Sequence, residues 1–158
     1  MMEMRDLVGS RPIFQNGASV IVVNNQGHLL LGLRSDNKCW GYAGGSIELG
    51  ENLEEAAKRE LFEEFKIKAN KLELFNVFSG KEFYYKYPNG HEVYNVDTVF
   101  ICSDYEGTPE ADGIEILECQ YFTIDALPDK ISPPTIPVIE AYCDSIRKKK
   151  HSVLTTWH

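Results

Sequence analysis

The chain predicts an α/β or α+β domain in which helices pack against a mixed β-sheet. Three observations point there. Runs rich in β-branched and aromatic residues fall in two blocks, residues 18–35 and 71–107. A segment of helical period lies between the blocks, and another closes the chain. The 158 residues make one domain by length, enough to bury a core without disulfides or a structural metal.

The elements follow in order. Residues 18–35, "ASVIVVNNQGHLLLGLRS", predict two apolar strands joined as a hairpin through "NNQG". "DNKCWGYAGG" is a loop of turn formers, followed by a short strand and then a helix. Asn52 is the expected N-cap, and Glu55 three residues on completes a capping box. Leu53, Ala57, Leu61 and Phe65 recur every fourth residue and predict the buried stripe. Residues 71–107 read as β-rich, with "PNG" at 88–90 as a hairpin turn and Gly80 at a bulge or short loop. A polar loop, a strand "ECQYFTI" and a turn-rich connection lead to a last helix, with Val138, Ile139, Tyr142 and Ile146 on one stripe. The expected boundaries are an N-terminal arm at 1–16, the domain at 17–148 and a tail at 149–158, with the basic run "RKKKH" ending the last helix.

Composition narrows the function classes. A net charge of −8 argues against binding extended nucleic acid, which needs many phosphate-neutralising cations. No apolar run reaches the ~18 residues of a membrane span, and the N-terminus lacks an apolar signal core, so a cytoplasmic protein with no membrane partner is expected. Cys39, Cys102, Cys119 and Cys143 are scattered, as are the histidines, and read as reduced thiols and not as a zinc site.

The informative segment is "GGSIELGENLEEAAKRELFEEFKI", residues 44–67. Glu60, Glu63 and Glu64 crowd one helical turn, where like charges repel. At ~100° per residue they border the apolar stripe, on the side of Ala56 and Ala57. A solvated acidic face would carry lysines at i+4, but here only Arg59 stands among the acids, expected to reach Glu55 and Glu63. Half-buried carboxylates stay ionised mainly beside a cation, and oxygen ligands suit Mg²⁺, with Mn²⁺ as substitute. The preceding Gly44 and Gly45 let backbone approach closely, so a carbonyl can ligate and a phosphate can come near.

This stretch resembles the Nudix box of the Nudix (MutT-like) hydrolases, G-x5-E-x7-R-E-U-x-E-E-x-G-U. Gly45, Glu51 and the run Arg59-Glu60-Leu61-Phe62-Glu63-Glu64-Phe65-Lys66-Ile67 fall in register, with Lys66 replacing the family's glycine. "CWGYAGG" is similar to the family's W-x-x-P-G-G entry, with Ala43 in place of proline. The resemblance covers roughly residues 17–145. It implies an α/β/α sandwich with a mixed sheet, and hydrolysis of a nucleoside diphosphate linked to another group. It further implies Glu60 and Glu64 as metal ligands, Glu63 as a ligand directly or through water, and the Gly45 carbonyl as another. Arg59 would hold the glutamates, and Glu51 would brace the loop or bind a second metal. The base would be Glu60 or a loop acid from Asp112, Glu115 and Glu118, of which Glu115 is preferred. The partner implied is a small-molecule nucleotide, met by a monomer or a homodimer. Gly44 would contact its phosphates, and an aromatic such as Tyr85 would stack its base. Two other readings remain open: an isopentenyl-diphosphate-isomerase-like enzyme using Cys39, and a non-catalytic ligand sensor. The latter fits less well because every box glutamate is kept.

Overall fold

A computed structural model of the chain describes residues 2–156, with side chains described for 4–152. In chain order the elements are α1 (Met2–Val8), β1 (Ile13–Val22), β2 (Leu29–Arg34), β3 (Trp40–Gly41), β4 (Ala43–Ser46), α2 (Leu53–Phe65), β5 (Lys68–Phe78), β6 (Tyr84–Lys86), β7 (Glu92–Glu106), β8 (Ile116–Phe122) and α3 (Ile136–Thr156). Five strands form one sheet in the order β4-β1-β7-β5, with β6 also paired to β7. A second sheet has the order β3-β2-β8. The β1–β7 pair is parallel and the other pairs are antiparallel, so the larger sheet is mixed.

Side-chain alternation sorts the core into two layers. Ala18, Val20 and Val22 pack with Ala56, Ala57, Leu61 and Phe65 of α2. Ile21 and Val23 pack with Val138, Ile139, Tyr142 and Cys143 of α3. From β2, Leu30 joins the first layer, and Leu29 and Leu31 join the second. The sheets therefore lie between α2 and α3, as an α/β/α sandwich requires. Among the described residues, no helix is long and apolar enough to cross a membrane.

Four expectations are corrected. Residues 18–35 do not form a hairpin: β1 and β2 share one bridge, Val23↔Leu29, and then enter different sheets. Residues 20–23 and 29–31 are apolar and buried on both faces, so each run has two layers to fill and no wet side to keep them together. The first strand begins at Ile13, paired with Val93, so residues 13–16 belong to the sheet and not to an arm. Buried Arg5 also ties α1 down, donating through Nη1 to Arg11 O at 2.7 Å and through Nη2 to Glu92 O at 3.1 Å. At the other end α3 runs through the basic cluster to Thr156, because lysine and arginine are good helix formers. In α2, Leu53 is 38% exposed, and the fourth-residue stripe is buried only from Ala57 onward.

The hairpin of β6 and β7 forms as expected, with Gly90 at φ 90° and its N–H donating to Tyr87 O at 2.9 Å. Gly80, at φ 106°, starts the short 3₁₀ turn between β5 and β6.

Candidate active site

The capping box that starts α2 is complete: Asn52 Oδ1 accepts from Glu55 N–H at 2.8 Å, and Glu55 Oε2 accepts from Asn52 N–H at 3.1 Å. The helix ends at Lys66, which takes the left-handed conformation at φ 60°, ψ 22° and donates its N–H to Phe62 O. Between these ends the helix presents its acids to β4, the short strand carrying Gly44 and Gly45.

Glu64 is the innermost of them, 1% exposed. Its Oε1 accepts from Gly44 N–H at 3.0 Å, and its Oε2 has no hydrogen-bond partner among the described residues. Burial, together with the charges of Glu60 and Glu115, pushes its pKa up to about 9, against the pull of Gly44 N–H and Arg34. Burial likewise raises Glu60, although Arg59 opposes it. Gly45 has no room for a side chain, because a Cβ there would stand 2.4 Å from Glu60 Oε1.

Arg59 is the hub of the remaining charges. Its Nε donates to Glu51 Oε2 at 2.6 Å, and its Nη1 donates to Glu60 Oε1 at 2.9 Å and Glu63 Oε2 at 3.3 Å. Its Nη2 donates to Ser46 O and Glu51 Oε1. The partner expected by helical spacing, Glu55, is occupied by the cap, and Glu51 from the preceding loop takes its place. Glu51 also accepts from Glu48 N–H at 2.9 Å, so it braces the loop, and Arg59 holds it below the usual carboxylate range. Glu63 is drawn to Arg59 and its side chain is 56% exposed. Consequently no three acidic, histidine or cysteine side chains among the described residues stand together as a ready-made metal cage.

The loop acids divide. Asp112 Oδ1 accepts from the N–H groups of Ile114, Glu115 and Ile116, so it shapes the loop. Glu115 is exposed, its carbonyl held by Ser35 N–H at 2.8 Å, and its charge reaches Glu64. Glu118 is an exposed residue of β8. Cys39 Sγ donates to Asn37 O at 3.4 Å and does not line the cleft beside Gly44, where an isomerase-like nucleophile would have to stand.

That cleft, a cavity of about 160 Å³, is lined by Gly44, Gly45, Arg34, Tyr85, Tyr87 and Asp97, among others. The rings of Tyr85 and Tyr87 meet edge to face at 5.0 Å. Arg34 is fork-bonded to Asp36, with Nε to Oδ1 at 3.1 Å and Nη2 to Oδ2 at 3.0 Å. On the floor, Asp97 accepts from Ser19 Oγ at 2.8 Å and from Tyr42 OH at 3.2 Å. Arg34 and Asp97 escape the sequence reading. The available signal for Asp97 was an acid inside the apolar run "NVDTVF".

An α/β/α sandwich whose first long helix holds this glutamate–arginine cluster under a Gly-Gly strand defines a class. The model of the NUDIX domain matches residues 13–142, and the chain belongs to that family. Over 52 residues, 33% of the chain, it is 44% identical to a Bacillus subtilis (strain 168) protein named "Putative 8-oxo-dGTP diphosphatase"; the match spans only 35% of that relative. The structure is similar to that of a MutT NUDIX hydrolase from Burkholderia pseudomallei, at 25% identity and TM-score 0.69, covering 82% of this chain and 97% of that one. A MutT protein from Methanosarcina mazei Go1 shares the fold at 18% identity and TM-score 0.69, covering 87% and 98% of the two chains.

Proposed function

We propose that the protein is a divalent-metal-dependent hydrolase that cleaves a phosphoanhydride bond in a nucleoside diphosphate linked to another group, most simply a nucleoside triphosphate. The observation that carries this is Glu64: a buried carboxyl, raised to about 9, with one oxygen unpartnered beside a second half-buried acid. An orphaned buried carboxylate oxygen is costly unless something occupies it. The donor set is all oxygen, so Mg²⁺ or Mn²⁺ fits it. Glu60, Glu64 and the Gly45 carbonyl would hold the cation, and Glu63 would join by leaving Arg59. When bound, such a cation neutralises phosphate charge and lowers the pKa of a coordinated water.

The chain's own groups do the rest. Arg59 fixes Glu60 and Glu51 and so holds the loop against the helix. Gly44 N–H holds Glu64, so its contribution to the substrate is close backbone approach at the cleft wall. Arg34 supplies a fixed cation for the phosphate chain at the same wall. Glu115 takes the proton of the attacking water at its carboxylate, being exposed yet close enough to act on Glu64. Tyr85 and Tyr87 offer ring faces to the base.

The test is a screen of the purified protein with Mg²⁺ or Mn²⁺ against nucleoside triphosphates, 8-oxo-dGTP, ADP-ribose, nucleotide sugars and dinucleoside polyphosphates. Metal-dependent release of a nucleotide product is expected. Failure on every class, with the metal shown to bind, would leave a ligand-sensing domain instead.

A further inference from the structure

Helix α2 is shorter than the sheet it lies on. Its 13 residues span about 20 Å, whereas the 15 residues of β7 span about 50 Å. Side chains two apart along a strand share a face. The face of Ala18, Val20, Phe100 and Cys102, which pack with α2, therefore continues to Phe14 on β1 and Tyr94 on β7. There it is bare. Phe14 is 72% exposed and Tyr94 is 39% exposed, while Val93, one residue away on the opposite face, is buried. The register aligns Phe14 with Tyr94, and Tyr94 with Tyr84 of β6, so three exposed aromatics cross three neighbouring strands in one row. The rings of Tyr84 and Tyr94 lie with centroids 5.3 Å apart. On β5, Leu74 is opposite Phe100 and Val77 opposite Thr98, and both apolar side chains are exposed on this same face.

Monomeric proteins rarely leave a contiguous apolar patch of more than a few hundred Å² in water. At their exposures the three aromatics present about 300 Å², and Leu74 and Val77 add on the order of 100 Å². A stable interface buries about 800 Å² on each partner, a little over half of it apolar. The bare face is of that scale. Its charges identify the occupant. The row beside the aromatics sets Lys86 opposite Glu92, one charge of each sign. A polyanion or an anionic lipid surface needs a cluster of cations, and a chain of net charge −8 repels both. One lysine beside one glutamate is instead complementary to itself. We propose that this face docks a second copy of the chain, about a two-fold axis lying in the face between β6 and β7. That axis sets Tyr84 against Tyr94 of the second copy and Lys86 against Glu92 of the second copy, each contact occurring twice.

The arrangement bears on the cleft. The strand β6 is three residues long and pairs with β7. So short a strand is weakly held by itself. By alternation Tyr84 and Lys86 share the docking face, while Tyr85 is turned to the other side, where it lines the cleft with Tyr87. A second copy packed on Tyr84 and Lys86 thus backs the cleft wall that carries Tyr85. Stacked sheets stand about 10 Å apart, a gap that facing tyrosine rings fill. Pairing through the edge of β5 is the poorer route to a dimer. The register of β5 shifts at three places and the strand carries Lys68 and Lys71, features that block pairing between edges.

The experiment is analytical ultracentrifugation of the full chain from about 1 to 200 μM, the range over which a modest interface of this size dissociates. The wild type is expected to reach a dimer. Phe14→Arg, at a site exposed enough to accept the charge, should sediment as a monomer with its circular-dichroism spectrum unchanged. Lys86→Glu and Glu92→Lys should each weaken the dimer by about tenfold or more, because each sets like charges against each other twice. An equimolar mixture of those two variants should dimerise again, since one chain then offers two acids and the other two lysines. Pairing of residues 86 and 92 within one chain cannot produce that recovery. Both swaps exchange one polar side chain for another, so they keep the test open if Phe14→Arg fails to fold. A wild type that stays monomeric at the highest concentration overturns the proposal. So does a mixture that fails to recover, which removes the two-fold contact. A dimer indifferent to all three changes but lost in Ile136→Arg overturns it as well, and moves the interface to the apolar groove along α3 lined by Ile124, Leu127, Ile131 and Ile136.

Discussion

Glu64→Gln exchanges one buried, titrating oxygen for an amide nitrogen and leaves shape and volume nearly unchanged. Glutamine Oε1 can still accept from Gly44 N–H, which Glu64 does now at 3.0 Å. What disappears is the cost of ionising a group that is 1% exposed. The folded carboxyl titrates near 9, against 4.5 in its ordinary setting. Between those values the native state keeps a proton that the unfolded chain has released, so the native state of the metal-free protein loses stability as pH rises, by about 1.4 kcal/mol per pH unit. By pH 7 the loss is on the order of 1–3 kcal/mol once local relaxation is allowed for. In EDTA, thermal unfolding at pH 5, 7 and 9 should show the wild type weakening toward alkali and the variant holding, with a higher Tm at pH 7 by roughly 2–10 °C. Mg²⁺ or Mn²⁺ should raise the wild-type Tm far more than the variant's, and turnover should be abolished in the variant. A variant less stable than wild type at pH 7 and 9 in EDTA would refute the account of Glu64 as a destabilised metal-site carboxyl.

Three further outcomes are expected. Gly45→Ala forces Glu60 aside, because the new Cβ would meet its Oε1 at 2.4 Å; activity should fall by about 10²-fold or more with the circular-dichroism spectrum unchanged. Lys66→Gly relieves a left-handed residue at φ 60°; urea unfolding should show a gain of up to roughly 1 kcal/mol, partly offset by the freer unfolded chain. An unchanged or lower stability would mean that the lysine side chain makes up for its backbone. Glu115→Gln should lower kcat by about 10²-fold while KM and metal affinity hold; if Glu60 is the base instead, Glu115→Gln is nearly silent and Glu60→Gln loses both rate and metal affinity across a Mg²⁺ titration.

How much of this was legible in the sequence depended on the distance over which each interaction is decided. The cap at Asn52, the burial of Leu61 and Phe65, and the inward placement of Glu64 follow from spacing within one helix, and the structure has all of them. Helical spacing also named Glu63 as a partner of Arg59 correctly. It failed for Glu55, because Glu51 is brought back by a loop that turns at Gly50, φ 87°, and helical periodicity cannot describe that loop. The supposed hairpin of residues 18–35 failed for a related reason. Two apolar runs buried on both faces, 20–23 and 29–31, carry no local mark of which neighbour each will take. β1 pairs with β4 and, in parallel, with β7, a partner about half the chain away, and the latter pairing places Asp97 next to Gly17. The cluster of Glu51, Arg59, Glu60, Glu63 and Glu64 is written in one contiguous stretch, a loop and the helix that follows it. The cleft floor is assembled from β1, β6, β7 and the segment before α3, so its local trace in the sequence was one acid, Asp97, inside the apolar run "NVDTVF".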